Sequence, residues 1–303
     1  MATQRIELVE VGPRDGLQNE RTVVDTAGKV AYIEALIAAG LRRIEATSFV
    51  HPKLVPQMAD ADQLMKQVPR LDGVRYIGLV VNRRGFDRAL AAGVDEVNVV
   101  VVASETFSQK NQGMTIDEGV ATFADISALA HQAGLGVTVT IGASFGCPFE
   151  GEVPTERVAD LVRRCVDSGA DEVALADTIG VGVPTDVHRL VSAVRQHHDV
   201  PLRFHLHNTR NTGYANAWTA AELGVVALDA SSGGIGGCPF APAATGNIAT
   251  EDLAYLLERS GVVTGLSLDA LIEASRWFEG ALGHPLPSMV AKAGGFPTPR
   301  APS

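Results

Sequence analysis

The chain has 303 residues, 46% of them hydrophobic and 20% charged, with 31 glycines and 15 prolines in no fixed period, which excludes a disordered or collagen-like chain. Acids outnumber bases 35 to 25, a formal net charge of −10, so the surface as a whole repels nucleic acid and anionic lipid, and an anionic ligand must meet a local basic pocket. No stretch reaches the length of about 18 uninterrupted apolar residues that a membrane span needs. Arg5, Glu7, Glu10, Arg14 and Asp15 precede any long apolar run, so no secretory or transit peptide is expected. Cys147, Cys165 and Cys238 are too few, and odd in number, for a disulfide framework. A reducing compartment fits them, and a cytoplasmic location is expected.

Short β-branched runs alternate with segments whose apolar residues recur at three and four, the signature of repeated βα units. The runs fall at 6–11, 43–47, 74–81, 96–103, 136–143, 172–177, 202–207 and 227–231. Helical segments follow at 25–39, 56–68, 83–92, 115–133, 155–168, 184–197, 212–223 and 249–259. Asp25, Thr115 and Thr155 stand where N-caps belong, and Gly40, Gly93, Gly134, Gly169, Gly224 and Gly261 follow the periodic segments. Eight such units predict one closed (β/α)8 TIM barrel in a single domain over 1–303, rather than an open doubly wound sheet, since no GxGxxG follows the first strand. A further helix over 267–282 is expected to pack as an appendage, with a loose tail from about 284 to 303.

Barrel chemistry sits at the carboxyl ends of the strands. The first strand exits into Gly12-Pro13-Arg14-Asp15-Gly16-Leu17-Gln18. There Asp15 is a carboxylate at the mouth or a plain turn residue, and Arg14 can bind developing negative charge, pair with Glu45 at the end of strand two, or do both. Asp177, ending strand six, is a supporting acid, a base or a helix cap. Strand seven ends His205-Leu206-His207, which sends both imidazoles to one face as a metal chelate or as a hydrogen-bonded core pair. Strands one, eight and seven are neighbours in a closed barrel, so Asp15 can approach the histidines, and Asn247 can add an amide oxygen. That mixed set with vacant positions suits Mg2+ or Mn2+, with Zn2+, Co2+ and Fe2+ left open by ligand softness. The loop Gly233-Gly234-Ile235-Gly236-Gly237-Cys238 is either a mobile lid carrying a thiol or a flexible turn with a buried cysteine. Cys147 reads as structural and Cys165 as helix core.

Four stretches, VEVGPRDGLQNE from Val9, SFVHPKLVPQM from Ser48, DTIGVG from Asp177 and GGCPFAPAATGNIATED from Gly236, resemble the 3-hydroxy-3-methylglutaryl-CoA lyases across about residues 6 to 285. The resemblance implies a metal-dependent carbon–carbon lyase acting on an acyl-CoA, with a divalent cation, Mg2+ or Mn2+, on Asp15, His205, His207 and Asn247. It implies Arg14 for enolate stabilisation, Glu45 and Asp177 as supporting acids, and Cys238 as general acid/base. Gln18 and Glu251 match positions near the substrate. The chain departs from the family where Asn208-Thr209-Arg210-Asn211-Thr212-Gly213 replaces the usual Asp-Thr-Tyr-Gly. Arg210 there could meet a substrate carboxylate, which leaves citramalyl-CoA or 3-hydroxy-3-isohexenylglutaryl-CoA as alternative substrates. A non-catalytic acyl-CoA-binding barrel is the competing class. A homo-oligomer, dimeric or higher, is expected, with no nucleic-acid or membrane partner.

Overall fold

The computed structural model describes residues 4–237 and 246–297. Eight strands form the sheet: β1 (Glu7–Glu10), β2 (Arg43–Ser48), β3 (Arg75–Val80), β4 (Glu96–Val102), β5 (Gly136–Gly142), β6 (Glu172–Asp177), β7 (Leu202–Leu206) and β8 (Ala227–Ala230). Every pairing within the barrel is parallel, and β1 closes it by setting Glu7 against Ala227 and Glu10 against Ala230 on β8. The chain is therefore a (β/α)8 TIM barrel, and parallel strands buried on both faces explain the near-continuous Val, Ile and Leu runs. His207 and Ser231, expected to end their strands, instead make isolated bridges to Asn247 and Ala249.

The helices are α1 (Thr26–Ala38), α2 (Ala61–Gln67), α3 (Arg83–Ala92), α4 (Glu105–Gln112), α5 (Ile116–Gln132), α6 (Thr155–Asp167), α7 (Pro184–Arg195), α8 (Gly213–Glu222), α9 (Thr250–Arg259), α10 (Leu268–Leu282) and α11 (Val290–Ala293). Asp25 accepts from Gly28 N at 2.8 Å to start α1, and Thr115 with Glu118 forms a reciprocal capping box on α5. Gly93 ends α3 at a φ of +77°, which costs glycine nothing. Thr155 was expected as a cap but is the first helical residue, one place inside Pro154. The expected helix at 56–68 splits into a 3-10 turn, Pro56–Met58, and α2. Helix α4 has no counterpart in the sequence reading, because its one fully apolar side chain, Phe107, gives no period.

Helix α10 packs against α1, with Tyr32 and Phe278 stacked at a centroid distance of 3.9 Å. The expectation of a loose tail from about 284 is corrected for 284–297. Ser288 N donates to Gly233 O at 3.1 Å, Asp252 Oδ1 accepts from Ser288 Oγ at 2.9 Å and Val290 N at 2.7 Å, and His284 Nε2 lies 2.9 Å from Glu20 Oε2. No helix among the described residues is long and apolar enough to cross a membrane.

Inside the barrel, the strand period of two places charge where branched aliphatic layers are usual. Arg43 pairs with Glu96 at 2.6 Å and Glu172 at 2.8 Å, and Arg203 reaches Glu172 at 3.2 Å and Asp229 at 3.4 Å. Thr138 Oγ1 donates to Glu96 at 2.6 Å. This lattice underlies the carboxyl end of the barrel, and Asp229 is its upper member.

Candidate metal and acid–base site

The turn after β1 winds Gly12–Gly16 into one wide helical turn whose N–H groups at Asp15 and Gly16 return to Val11 O, at 2.7 and 3.1 Å. That turn sets Arg14 and Asp15 over the barrel end. Arg14 forks, with Nη1 on Asp15 Oδ1 and Nη2 on Glu45 Oε2, each at 2.6 Å. Glu45 is held in turn by Asn98 Nδ2 at 3.0 Å, and Asn98 accepts from Thr140 Oγ1 at 2.8 Å.

His205 and His207 project to one face, as the period of two requires, with their Nε2 atoms 3.3 Å apart. His205 Nδ1 lies 3.1 Å from Asp229 Oδ2; with Nδ1–H donating to that carboxylate, Nε2 of the neutral ring is left as an acceptor. Its Nε2 is 3.8 Å from Asp15 Oδ2. Ligand atoms of Asp15, His205 and His207 all lie within 4.8 Å of one another.

The charges follow from this packing. Burial would raise the Asp15 carboxyl, but Arg14 and then the two histidines hold it down to about 2. Burial, reinforced by His205, pushes His207 down to about 4, so its ring is neutral at pH 7. Burial also opposes the charged form of His205, yet the hydrogen bond to Asp229 and the charge of Asp15 raise it. A neutral imidazole, an anionic carboxylate and a second imidazole oriented by an acid behind it make a donor set that suits a divalent cation. The two facing ring nitrogens supply the fit, since without a shared cation or proton their lone pairs oppose each other.

A cavity of about 680 Å3 opens above the cluster, lined by Arg14, Asp15, Gln18, His205, His207 and Asp229 among others. Other expected residues lie around it. Asn247 turns its amide nitrogen, not its oxygen, to the cluster, donating to Asp15 Oδ2 at 2.9 Å and to Ile235 O at 3.0 Å. Asp177 is buried, accepts from Val181 N and Gly182 N at 2.9 Å each, and has its carboxyl pushed up by that burial. These contacts make Asp177 a hold on the following turn. Arg210, expected to meet substrate, donates to the carbonyls of Ile179 and Gly180 at 3.0 and 2.9 Å. Glu251, also expected near substrate, is fully buried beneath the rim and accepts from Gly233 N at 3.1 Å. Cys238 lies outside the described residues. Sequence reasoning missed Asp229, Asn98 and Glu10, which sit inside strand runs. The readable signal was an acid or amide interrupting an apolar run.

The HMGL-like family model matches residues 5–277. The chain is 47% identical over 302 residues to an (R)-citramalyl-CoA lyase of Chloroflexus aurantiacus, covering 96% of this chain and 95% of that protein. It is 43% identical over 293 residues to the mitochondrial hydroxymethylglutaryl-CoA lyase of Bos taurus, covering 96% and 90% respectively. The structure of an HMG-CoA lyase of Acinetobacter baumannii in complex with coenzyme A and 3-methylmalate superposes with a TM-score of 0.93 at 41% identity, covering 99% of each chain.

Proposed function

Since the chain belongs to the HMGL-like family and is a carbon–carbon lyase, we propose that it cleaves the C2–C3 bond of a 3-hydroxyacyl-CoA in a divalent-metal-dependent retro-Claisen reaction. The leading substrate is 3-hydroxy-3-methylglutaryl-CoA, giving acetyl-CoA and acetoacetate. A second reading, citramalyl-CoA giving acetyl-CoA and pyruvate, is favoured by the 47% identity to a lyase of that name. The observation that carries the proposal is the convergence of Asp15, His205 and His207 beside the Arg14 fork, at the floor of an open cavity.

A divalent cation, Mg2+ or Mn2+, held by Asp15, His205 and His207 would make a substrate hydroxyl acidic enough to lose its proton near neutral pH. Asn247 would hold Asp15 in place through its amide nitrogen. Arg14 would bind the negative charge that moves onto the thioester carbonyl as the bond breaks. Its two ion pairs fix the guanidinium in advance, so no reorganisation is needed as that charge develops. Glu45 would orient Arg14, and Cys238 would deliver a proton to the carbon of the departing enolate. Gln18 lines the cavity where the acyl chain would lie.

Turnover of a panel of 3-hydroxyacyl-CoA thioesters with added Mg2+ or Mn2+ tests the proposal. We expect acetyl-CoA from the 3-hydroxy-3-methylglutaryl or citramalyl thioester, and the ratio of their kcat/KM values names the substrate. Asp15→Ala and His205→Ala should lose both Mn2+ and turnover, and Cys238→Ala should keep Mn2+ while losing about 100-fold or more in kcat. No product from any thioester would leave a non-catalytic acyl-CoA-binding barrel, and unchanged turnover in Cys238→Ala would remove that thiol from the chemistry.

A further inference from the structure

Glu10 ends β1 directly beneath the rim and is fully buried. Its Oε1 accepts from Gly12 N at 2.8 Å and from Ser232 N at 2.9 Å, and its Oε2 accepts from the Thr250 hydroxyl at 2.7 Å. These donors belong to three separate pieces of chain: the turn bearing Arg14 and Asp15, the root of the loop after β8, and the first residue of α9. A Cβ on residue 12 would lie 2.6 Å from Oε1, so the carboxyl comes this close only because Gly12 has no side chain. The same two rim segments meet again higher up. Gly16 leaves room for Ile235, whose Cγ1 would lie 2.6 Å from a Cβ there, and Asn19 Nδ2 donates to Gly237 O at 2.6 Å.

We propose that Glu10 is a positioning residue that sets the Arg14–Asp15 turn in register with the 232–237 segment, and through it fixes the geometry of the cation ligands. Asn247 shows why register matters, because one amide nitrogen must satisfy Asp15 Oδ2 from the first segment and Ile235 O from the second. A shift of either segment breaks one of those bonds, so that Asn247 can no longer hold Asp15 Oδ2 and the rim segment together, and Oδ2 loses the fixed position that the Arg14 pairing at Oδ1 alone does not give it. The contribution is a fixed acceptor rather than a charge: burial pushes the Glu10 carboxyl up to about 8, leaving it largely protonated at pH 7.

The inference rests on the reading of Asp15 as a cation ligand. Wild-type Mn2+ affinity in Asp15→Ala would refute that reading whatever the Glu10 variants do. The test measures Mn2+ dissociation by electron paramagnetic resonance without substrate, and kcat and KM separately, for Glu10→Gln and Glu10→Ala. Leu161→Ala, a buried substitution in α6 across the barrel, serves as the control for general loss of stability. We expect Glu10→Gln, which keeps an acceptor oxygen, to stay within about threefold of the wild type in Mn2+ affinity and kcat. Glu10→Ala should weaken Mn2+ binding about tenfold or more and lower kcat further with little change in KM, as losses of ligand-supporting contacts do. Glu10→Ala that folds and matches the wild type, Glu10→Gln as impaired as Glu10→Ala, or Leu161→Ala reproducing the effect would each overturn the proposal. Should Glu10→Ala fail to fold, Thr250→Val removes only the Oε2 partner and must show a smaller fall of the same kind. Unchanged Mn2+ affinity and kcat in that variant would reject it.

Discussion

At the scale of single residues, the environment decides what each carboxyl does. Asp15 and Glu10 are five positions apart, and one is held down to about 2 while the other is pushed up to about 8. Arg14 and two imidazoles surround the first, whereas the second is buried with Glu251 as its charged neighbour. The folded chain therefore keeps a proton on Glu10 at pH values where the unfolded chain, with a carboxyl near 4.3, has released it. Stability from this group is complete below about pH 4 and declines as the pH rises through 8. Glu251, also raised by burial, adds to the same decline. Urea titrations between pH 5 and 9 should show Glu10→Gln losing less stability with rising pH than the wild type, and parallel curves would contradict the raised carboxyl. The residues with motif context, Arg14, Asp15, His205 and His207, were legible in the sequence. Glu10 and Asp229 showed only as acids interrupting apolar runs, because the partners each one holds come from distant segments that meet only once the barrel closes.

Among the elements, the eight strands were legible because glycine exits and β-branched runs repeat together, and tertiary closure then reinforces each local preference. Helix α4 and the segment after α10 were not. The first lacks an apolar stripe, and the second is rich in Pro and Gly, a composition shared by loose tails and by straps held through backbone hydrogen bonds. Asp252 is what separates the two cases here, since it collects Ser288 Oγ, Met289 N, Val290 N and the Tyr214 hydroxyl. Asp252→Ala should cost about 1–2 kcal/mol, the cost of removing one acceptor from several part-buried donors. It should also accelerate amide hydrogen exchange at Met289 and Val290. Unchanged exchange there would mean the strap is held by Leu286 packing and the Ser288–Gly233 and His284–Glu20 contacts rather than by Asp252.

Across the whole molecule, the barrel interior stakes its stability on compensation between charges. Arg43→Ala would leave Glu96 and Glu172 buried without their main partner, a loss of about 3–5 kcal/mol in denaturant unfolding. Adding Glu96→Gln and Glu172→Gln to Arg43→Met should recover much of it, and failure to recover would point to packing rather than charge.

That lattice also bears on how the fold can be divided. Its members come from β2 and β4 on one side of the chain's midpoint and from β6, β7 and β8 on the other. A polypeptide ending after β4 would carry an arginine stripped of Glu172, and the complementary piece would carry Glu172 and Asp229 with only Arg203 to neutralise them. Each half would also expose the strand edges that the β4–β5 and β1–β8 pairings cover, so the network gains its low-dielectric setting only when the full ring has closed.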